Sequence, residues 1–146
     1  MGRGFSDRIR EGIDMPTKED LDDMFLGYVE CALWSSTDEG EDGNGGPPLD
    51  EEYGVEDLAE ECREAMRKDC EAFAEDNADA IDRALKASGR TWSDVGHDFW
   101  LTRNRHGAGF WDGRYDEPEA SELTSAAKVY GSEYLYAHDG KIYGHG

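Results

Sequence analysis

The sequence predicts an α+β fold: acidic N-terminal helices packed with a small antiparallel sheet of two hairpins separated by a helix, a ββαββ arrangement in the C-terminal half. Three observations lead there. Up to about residue 88, apolar residues recur at i, i+3, i+4 and i+7, the helical period. From 97 onward they alternate over short runs bounded by glycine, as in half-buried strands. Between the two hairpin patterns, Pro118 opens a run at helical spacing that Gly131 stops. A chain of 146 residues suits one domain with a modest core, so 1–146 reads as a single domain.

Taken in order, residues 1–16 form a loose lead-in to Pro16, without the apolar stretch of a signal peptide. Thr17 is a good helix N-cap, with Asp20 placed to complete a capping box. Leu21, Met24, Phe25, Tyr28 and Ala32 share one face of a helix over about 18–35. Leu26, Val29 and Leu33 widen that face, which predicts burial on more than one side, with Trp34 in the core. Residues 36–54 form an acidic Gly/Pro loop open to disorder. Its acids miss the calcium-loop register: counted from Asp38, Gly40 falls where a third-position oxygen is needed. A long helical pattern starts at Val55, with a break around Asp76-Asn77-Ala78-Asp79 and a C-cap at Ser88-Gly89. Strands are expected at 97–102 and 108–112, joined by a turn at Asn104-Arg105-His106-Gly107, and at 133–137 and 141–144, joined by Asp139-Gly140. Phe99, Leu101 and Phe110 on that sheet are expected to pack on Leu123, Ala127 and helix 18–35.

No run of 18 apolar residues exists, so no membrane-spanning helix and no membrane partner is expected. Cys31, Cys62 and Cys70 form no CxxC and fall on apolar faces, which predicts small buried hydrophobes in a reducing cytoplasm.

His97, Asp98, His106 and Asp112 are the residues that could converge across the first hairpin to bind zinc or move protons. Their spacing matches no metalloenzyme signature, and no nucleophile elbow, P-loop or GxGxxG occurs. The expectation is therefore structural: His97 and Asp98 at the strand start, His106 at the turn, with no catalytic residues, metal or cofactor, and no enzyme. Arg103, Arg105 and Arg114, beside Trp100 and Trp111, could stack on bases, but the net field of the chain opposes nucleic acid. Their expected use is pairing with the chain's own acidic helices.

The run Gly96-His97-Asp98-Phe99-Trp100-Leu101-Thr102-Arg103-Asn104, followed by His106-Gly107-Ala108-Gly109-Phe110-Trp111-Asp112, resembles a segment of a functionally uncharacterised family of small phage and plasmid proteins. Leu123, Ala126, Ala127, Tyr130-Gly131 and Leu135-Tyr136 are similar to that family's tail, so the resemblance spans 91–144. It implies a mobile-element origin and brings no catalytic residues; with the cysteine reading, the expected location is the host-cell cytoplasm.

Charge is the strongest compositional fact. The formal net charge is -20, and residues 38–82 hold 18 acids against three bases (Arg63, Arg67, Lys68), or -15 of it. Such a surface repels nucleic acid directly and attracts basic proteins. Two readings follow. In the first, the acid imitates DNA and the chain inhibits a host nucleic-acid-handling defence complex, with Glu56, Glu60, Glu61, Glu64, Glu71 and Glu75 as phosphate surrogates that contact a basic partner. Like-charged pairs at Glu56-Glu60, Asp57-Glu61 and Glu60-Glu64 favour it, because selection for stability alone would remove them. In the second, the chain is a salt-adapted small binding module, as five lysines against ten arginines suggest.

Overall fold

The computed structural model describes residues 9–10, 13–36, 47–106 and 108–145. Among these, five α-helices surround a mixed core and one two-stranded antiparallel sheet lies at the C-terminal end. A minimal ladder, β1 (Ile9–Arg10) with β2 (Ile13–Asp14), precedes them. Most of the 36–54 loop, including the Asp38–Gly45 stretch, lies outside the described residues; its end forms a 3-10 turn at Leu49–Glu51.

Helix α1 (Lys18–Ser35) begins as the sequence predicts, because Thr17 and Asp20 close a reciprocal capping box: each side chain bonds the other residue's backbone N–H at 3.0 Å. Val29 and Leu33 are buried beside the main stripe, whereas Leu26 and Trp34 are exposed. Trp34 is thus a correction to its expected place in the core.

The helix expected from Val55 is shorter. Val55–Asp57 is a separate 3-10 turn, Leu58 and Ala59 are extended, and α2 runs Glu60–Asp76. Ala59 is held out of the helix by its N–H bonding Ile142 O at 2.9 Å, beside a parallel bridge between Leu58 and Ile142. The pairs Glu56-Glu60 and Asp57-Glu61 therefore do not share a helix, and only Glu60-Glu64 keeps its i,i+4 repulsion. Asn77 interrupts the helix as expected, and α3 (Ala78–Ser88) ends at Gly89 with φ 75.

The first hairpin does not form. Residues expected as the 97–102 strand belong to α4 (Trp92–Arg103), and 108–112 is turn and bend. Only the second hairpin, of the two in the expected ββαββ layout, is present. The physical reason is that α4 is buried on almost every side: Val95, Gly96, Asp98, Phe99, Trp100, Leu101, Thr102 and Arg103 are all covered. A helix enclosed all round carries no single apolar stripe, and alternation within it is accidental. The informative signal was Thr91 with Asp94, a capping box at 3.0 and 3.3 Å that starts the helix.

Helix α5 (Glu119–Lys128) and the hairpin β3 (Tyr134–His138) with β4 (Lys141–His145) lie where the sequence places them, with Tyr136 opposite Tyr143. Asp139 (φ 53) and Gly140 (φ 78) make the two-residue turn with both central residues left-handed, which matches the twist of the strands. Leu135 and Ile142 point into the core and Tyr134 and Tyr136 out of it.

Phe99, Leu101 and Phe110 share one buried core with Leu123, Ala127 and α1, but they enter it from a helix and a loop rather than a sheet. Phe73 of α2 stacks on Phe99 at 4.2 Å and on Phe110 at 5.8 Å between ring centroids. Tyr28 of α1 packs on Phe99 at 5.2 Å and edge-on to Trp100 at 5.4 Å. The α1–α4 contact, the most extensive between helices, depends on two glycines. A Cβ on Gly96 would collide with Met24 O, and one on Gly27 with Ser93 O, both backbone atoms. Gly96→Ala therefore forces the two helices apart. We expect it to destabilise the fold by about 3 kcal/mol in urea unfolding, the upper range for overpacking, despite about 1 kcal/mol of helix propensity gained. A variant as stable as the parent would show that the helices do not approach this closely.

Candidate functional site

The segment from Asp98 to Asp112 holds the densest set of polar side chains in the core, and α4 positions most of them. Asp98, fully buried, accepts from Tyr115 Oη at 2.7 Å and from Arg114 Nη2 at 2.6 Å. Arg114 also donates through Nε to Asp112 at 3.0 Å, and Asp112 caps the Gly109 N–H at 3.3 Å. Thr102 Oγ1 accepts the Phe110 N–H at 3.1 Å, which pins this loop to α4; Gly109 is required there because a Cβ would strike the same hydroxyl. Trp100 Nε1 donates to Ser35 Oγ at 2.8 Å. Asn104 donates to Trp100 O and accepts the Glu133 N–H at 2.8 Å, joining α4 to the lead into β3.

Arg103, at the last turn of α4, is the hub. Its Nε donates to Gly131 O at 2.8 Å and Nη2 to Tyr130 O at 3.1 Å, both carbonyls just past the end of α5. Nη1 donates to Tyr28 Oη and Asp69 Oδ2, both at 2.9 Å, and lies 3.6 Å from Glu133 Oε1. The guanidinium also faces the Phe99 and Tyr130 rings, at 5.8 and 5.6 Å from their centroids. One side chain thus ties α1, α2, α4, the end of α5 and the lead into β3.

The electrostatics follow from burial. Burial pushes the Asp98 carboxyl above its ordinary value, and the bonds from Tyr115 and Arg114 reverse this only in part. Burial likewise raises Glu133, with Arg103 opposing. Burial works against the charge on Arg103, but the acceptors around it win and its pKa is raised. Asp112 is only lightly covered, and Arg114 with the Gly109 N–H outweighs desolvation to hold it below the ordinary range. All three cysteines are buried and free; burial pushes Cys31 up to about 12 and Cys62 up to about 11, so neither supplies a thiolate near neutrality.

Of the four residues that sequence reasoning placed across a hairpin, only Asp98 and Asp112 meet, and they do so through Arg114. His97 is half-buried with its ring 6.4 Å from Trp34, and His106 is exposed. Among the described residues no group of three or more His, Cys, Asp or Glu side chains is placed to hold a metal. Arg103 pairs with the acidic helix α2, as expected; Arg114 pairs within its own segment instead. The polar side chains of 98–104 are satisfied mainly by groups from neighbouring elements, and Asp98 is fully buried.

The six glutamates expected to meet a partner are placed differently. Glu56 stands on the 3-10 turn, Glu60, Glu61, Glu64, Glu71 and Glu75 on α2. Glu60, Glu64, Glu71 and Glu75 fall within an arc of about 60° at about 100° per residue, with Glu61 about 100° round from Glu60. Glu56, Glu60, Glu61, Glu64 and Glu75 are exposed and, among the described residues, make no ion pair or side-chain hydrogen bond. Glu71 differs: it is half-buried and bonds Arg67 at 2.7 Å, while Arg67 also reaches Asp22 at 2.9 Å. Arg63 is turned to Val55 O at 2.9 Å, so Lys68 is the exposed base on this helix. Among the described residues no helix is long and apolar enough to cross a membrane. No protein-family model matches the chain, and neither the curated proteins nor the solved structures contain a significant match.

Removing the hub side chain leaves Asp69, Glu133 and two carbonyls without it. Arg103→Ala is expected to cost about 3–5 kcal/mol in urea unfolding, the range for breaking one partner out of a buried pair; a loss under about 1 kcal/mol would make the network dispensable. Asp98 gives a pH signature. The folded chain keeps its proton to higher pH than the unfolded chain, so this group stabilises the fold as pH falls through its raised value, and the gain levels off below the ordinary 3.8. The stability deficit of Asp98→Asn relative to the parent should therefore be larger at about pH 4 than at about pH 7. An unchanged or smaller deficit at acid pH would contradict the burial assigned to Asp98.

Proposed function

We propose that this protein is an inhibitor that binds a basic, nucleic-acid-handling host protein or complex, with the outer face of α2 standing in for phosphates. One observation carries the reading: the bases of α2 are largely turned to partners within the chain, while five of the six glutamates face solvent and make no ion pair among the described residues. The outer face of α2 thus carries an excess of negative charge, with Lys68 as its exposed base, and such an excess steers a basic partner.

The scale of the imitation is limited. From Glu60 to Glu75 the helix rises about 22 Å and presents four exposed glutamates, Glu60, Glu61, Glu64 and Glu75, where one DNA strand would present six to seven phosphates. That is enough to engage part of a groove, with affinity built from many weak screened contacts rather than a few strong ones. The resemblance of 91–144 to phage and plasmid proteins supports the anti-defence setting in a host cytoplasm.

The salt-adapted reading has its own support, since exposed acids also occur away from α2, at Glu19, Asp23, Glu30, Glu117 and Asp139. The two separate on one experiment. The triple reversal Glu60→Lys, Glu64→Lys, Glu75→Lys should leave the melting temperature unchanged or raised and abolish capture of DNA-competed basic proteins from host lysate. Capture by the parent should fall steeply between low and high salt. If the reversal leaves capture intact, or if the parent captures nothing and instead gains stability steadily with salt, the inhibitor reading fails.

A further inference from the structure

A groove of about 560 Å³ runs between the outward face of α1 and the 50–56 segment, and nothing in the polar network above uses it. Its walls are apolar: Leu26 and Trp34 on one side, Tyr53 and Val55 on the other. Leu26 is 45% and Trp34 58% exposed, an unusual state for two large side chains on a helix whose other faces are buried. Glu30, Asp50 and Glu56 stand among the lining residues, and no lysine or arginine does. The groove therefore combines an apolar floor with a rim of one sign.

Resting on the basic-partner reading above, we propose that this groove docks a short basic amphipathic segment of the partner protein, a large apolar side chain seated against Leu26 and Trp34 and flanking lysines or arginines at the carboxylates. Charge complementarity selects this occupant. Three carboxylates with no lysine or arginine beside them among the described residues disfavour an acidic segment or nucleic acid and give a purely apolar one no compensation for their desolvation. Leu26, Glu30 and Trp34 lie at i, i+4 and i+8, a stripe about 12 Å long that suits two turns of a bound helix. Glu56 lines the groove and stands on the 3-10 turn that comes before α2 in the chain: α2 attracts a basic partner through a long-range, salt-screened field, and the groove adds an apolar anchor that salt does not screen.

The test uses the full chain, 15N-labelled, and three synthetic peptides: a Leu/Lys helical amphipath, the same peptide with serine for leucine, and a Leu/Glu counterpart. The Leu/Lys peptide should bind at least about tenfold tighter than the Ser/Lys peptide, shift the Trp34 indole N–H (assigned with Trp34→Phe), and out-bind the Leu/Glu peptide. Leu26→Ser with Trp34→Ser, both at exposed positions, should remove the tenfold margin without weakening the Ser/Lys peptide. Glu30→Gln with Asp50→Asn, which keeps the floor, should weaken the Leu/Lys peptide severalfold. The α2 reversal Glu60→Lys, Glu64→Lys, Glu75→Lys should lower both affinities and preserve the margin. Equal binding of the Leu/Lys and Ser/Lys peptides, equal binding of the Leu/Glu peptide, a margin that survives the groove substitutions, or a margin lost on α2 reversal would each overturn the groove. Overturning it while the reversal still abolishes lysate capture would leave the acidic-face reading standing; the two fail separately.

Discussion

Everything in this fold is arranged around the contact of α1 with α4, and that contact exists because Gly27 and Gly96 have no side chains. With backbone against backbone at Met24 and Ser93, the two helices lie close enough for Tyr28 to reach Phe99, Trp100 and Arg103 at once. That close pairing puts α4 in the middle of the molecule. A helix in such a position needs apolar side chains around most of its circumference, and it needs the partners of any polar one delivered by its neighbours. Tyr115, Arg114, Ser35, Asp69 and Glu133 supply them.

The same requirement governs how charge is distributed. A chain with few bases and many acids could neutralise itself evenly over its surface. Here the arginines work inward: Arg103 and Arg114 in the core network, Arg67 between α1 and α2, Arg83 between α3 and α5 through Glu119 and Glu122. Each arginine used to join elements is one fewer to screen the surface. Stability and surface chemistry are thereby coupled, because the positive charge consumed in holding the helices together leaves Glu60, Glu61, Glu64 and Glu75 of α2 without an ion pair among the described residues. The acidic face follows from internal pairing as much as from the number of acids.

This coupling gives the Asp98–Asp112 segment its meaning. In the sequence it has the look of an active site, with histidines, carboxylates, arginines and tryptophans in close succession. In the fold each of Asp98, Trp100, Thr102, Arg103 and Asn104 fastens α4 to a different neighbour, and the histidines stay apart from them. The segment builds the scaffold, and the α2 face and the groove beside α1 lie outside its network.

Local chemistry determined much of this protein by itself. The bounds of α1, the break at Asn77, the stop at Gly89, the start of α5 and the Asp139-Gly140 turn are each set by interactions within a few residues: a capping box, a left-handed glycine, a fixed proline φ. Such signals are readable without knowing the fold. What the tertiary structure decided depended on neighbours distant in sequence. The 97–102 stretch alternates like a strand, yet it is helical because it is enclosed on all sides, and enclosure erases the one-sided stripe by which a helix is recognised. Ala59 leaves the helical pattern because Ile142, 83 positions later, takes its N–H. Trp34 is exposed because α4 packs on a different face of α1. Arg103 became the hub, and Asp98 separated from His106, through contacts that no spacing encodes, since side chains bearing opposite charge are brought together only after the helices that carry them have chosen which faces to bury.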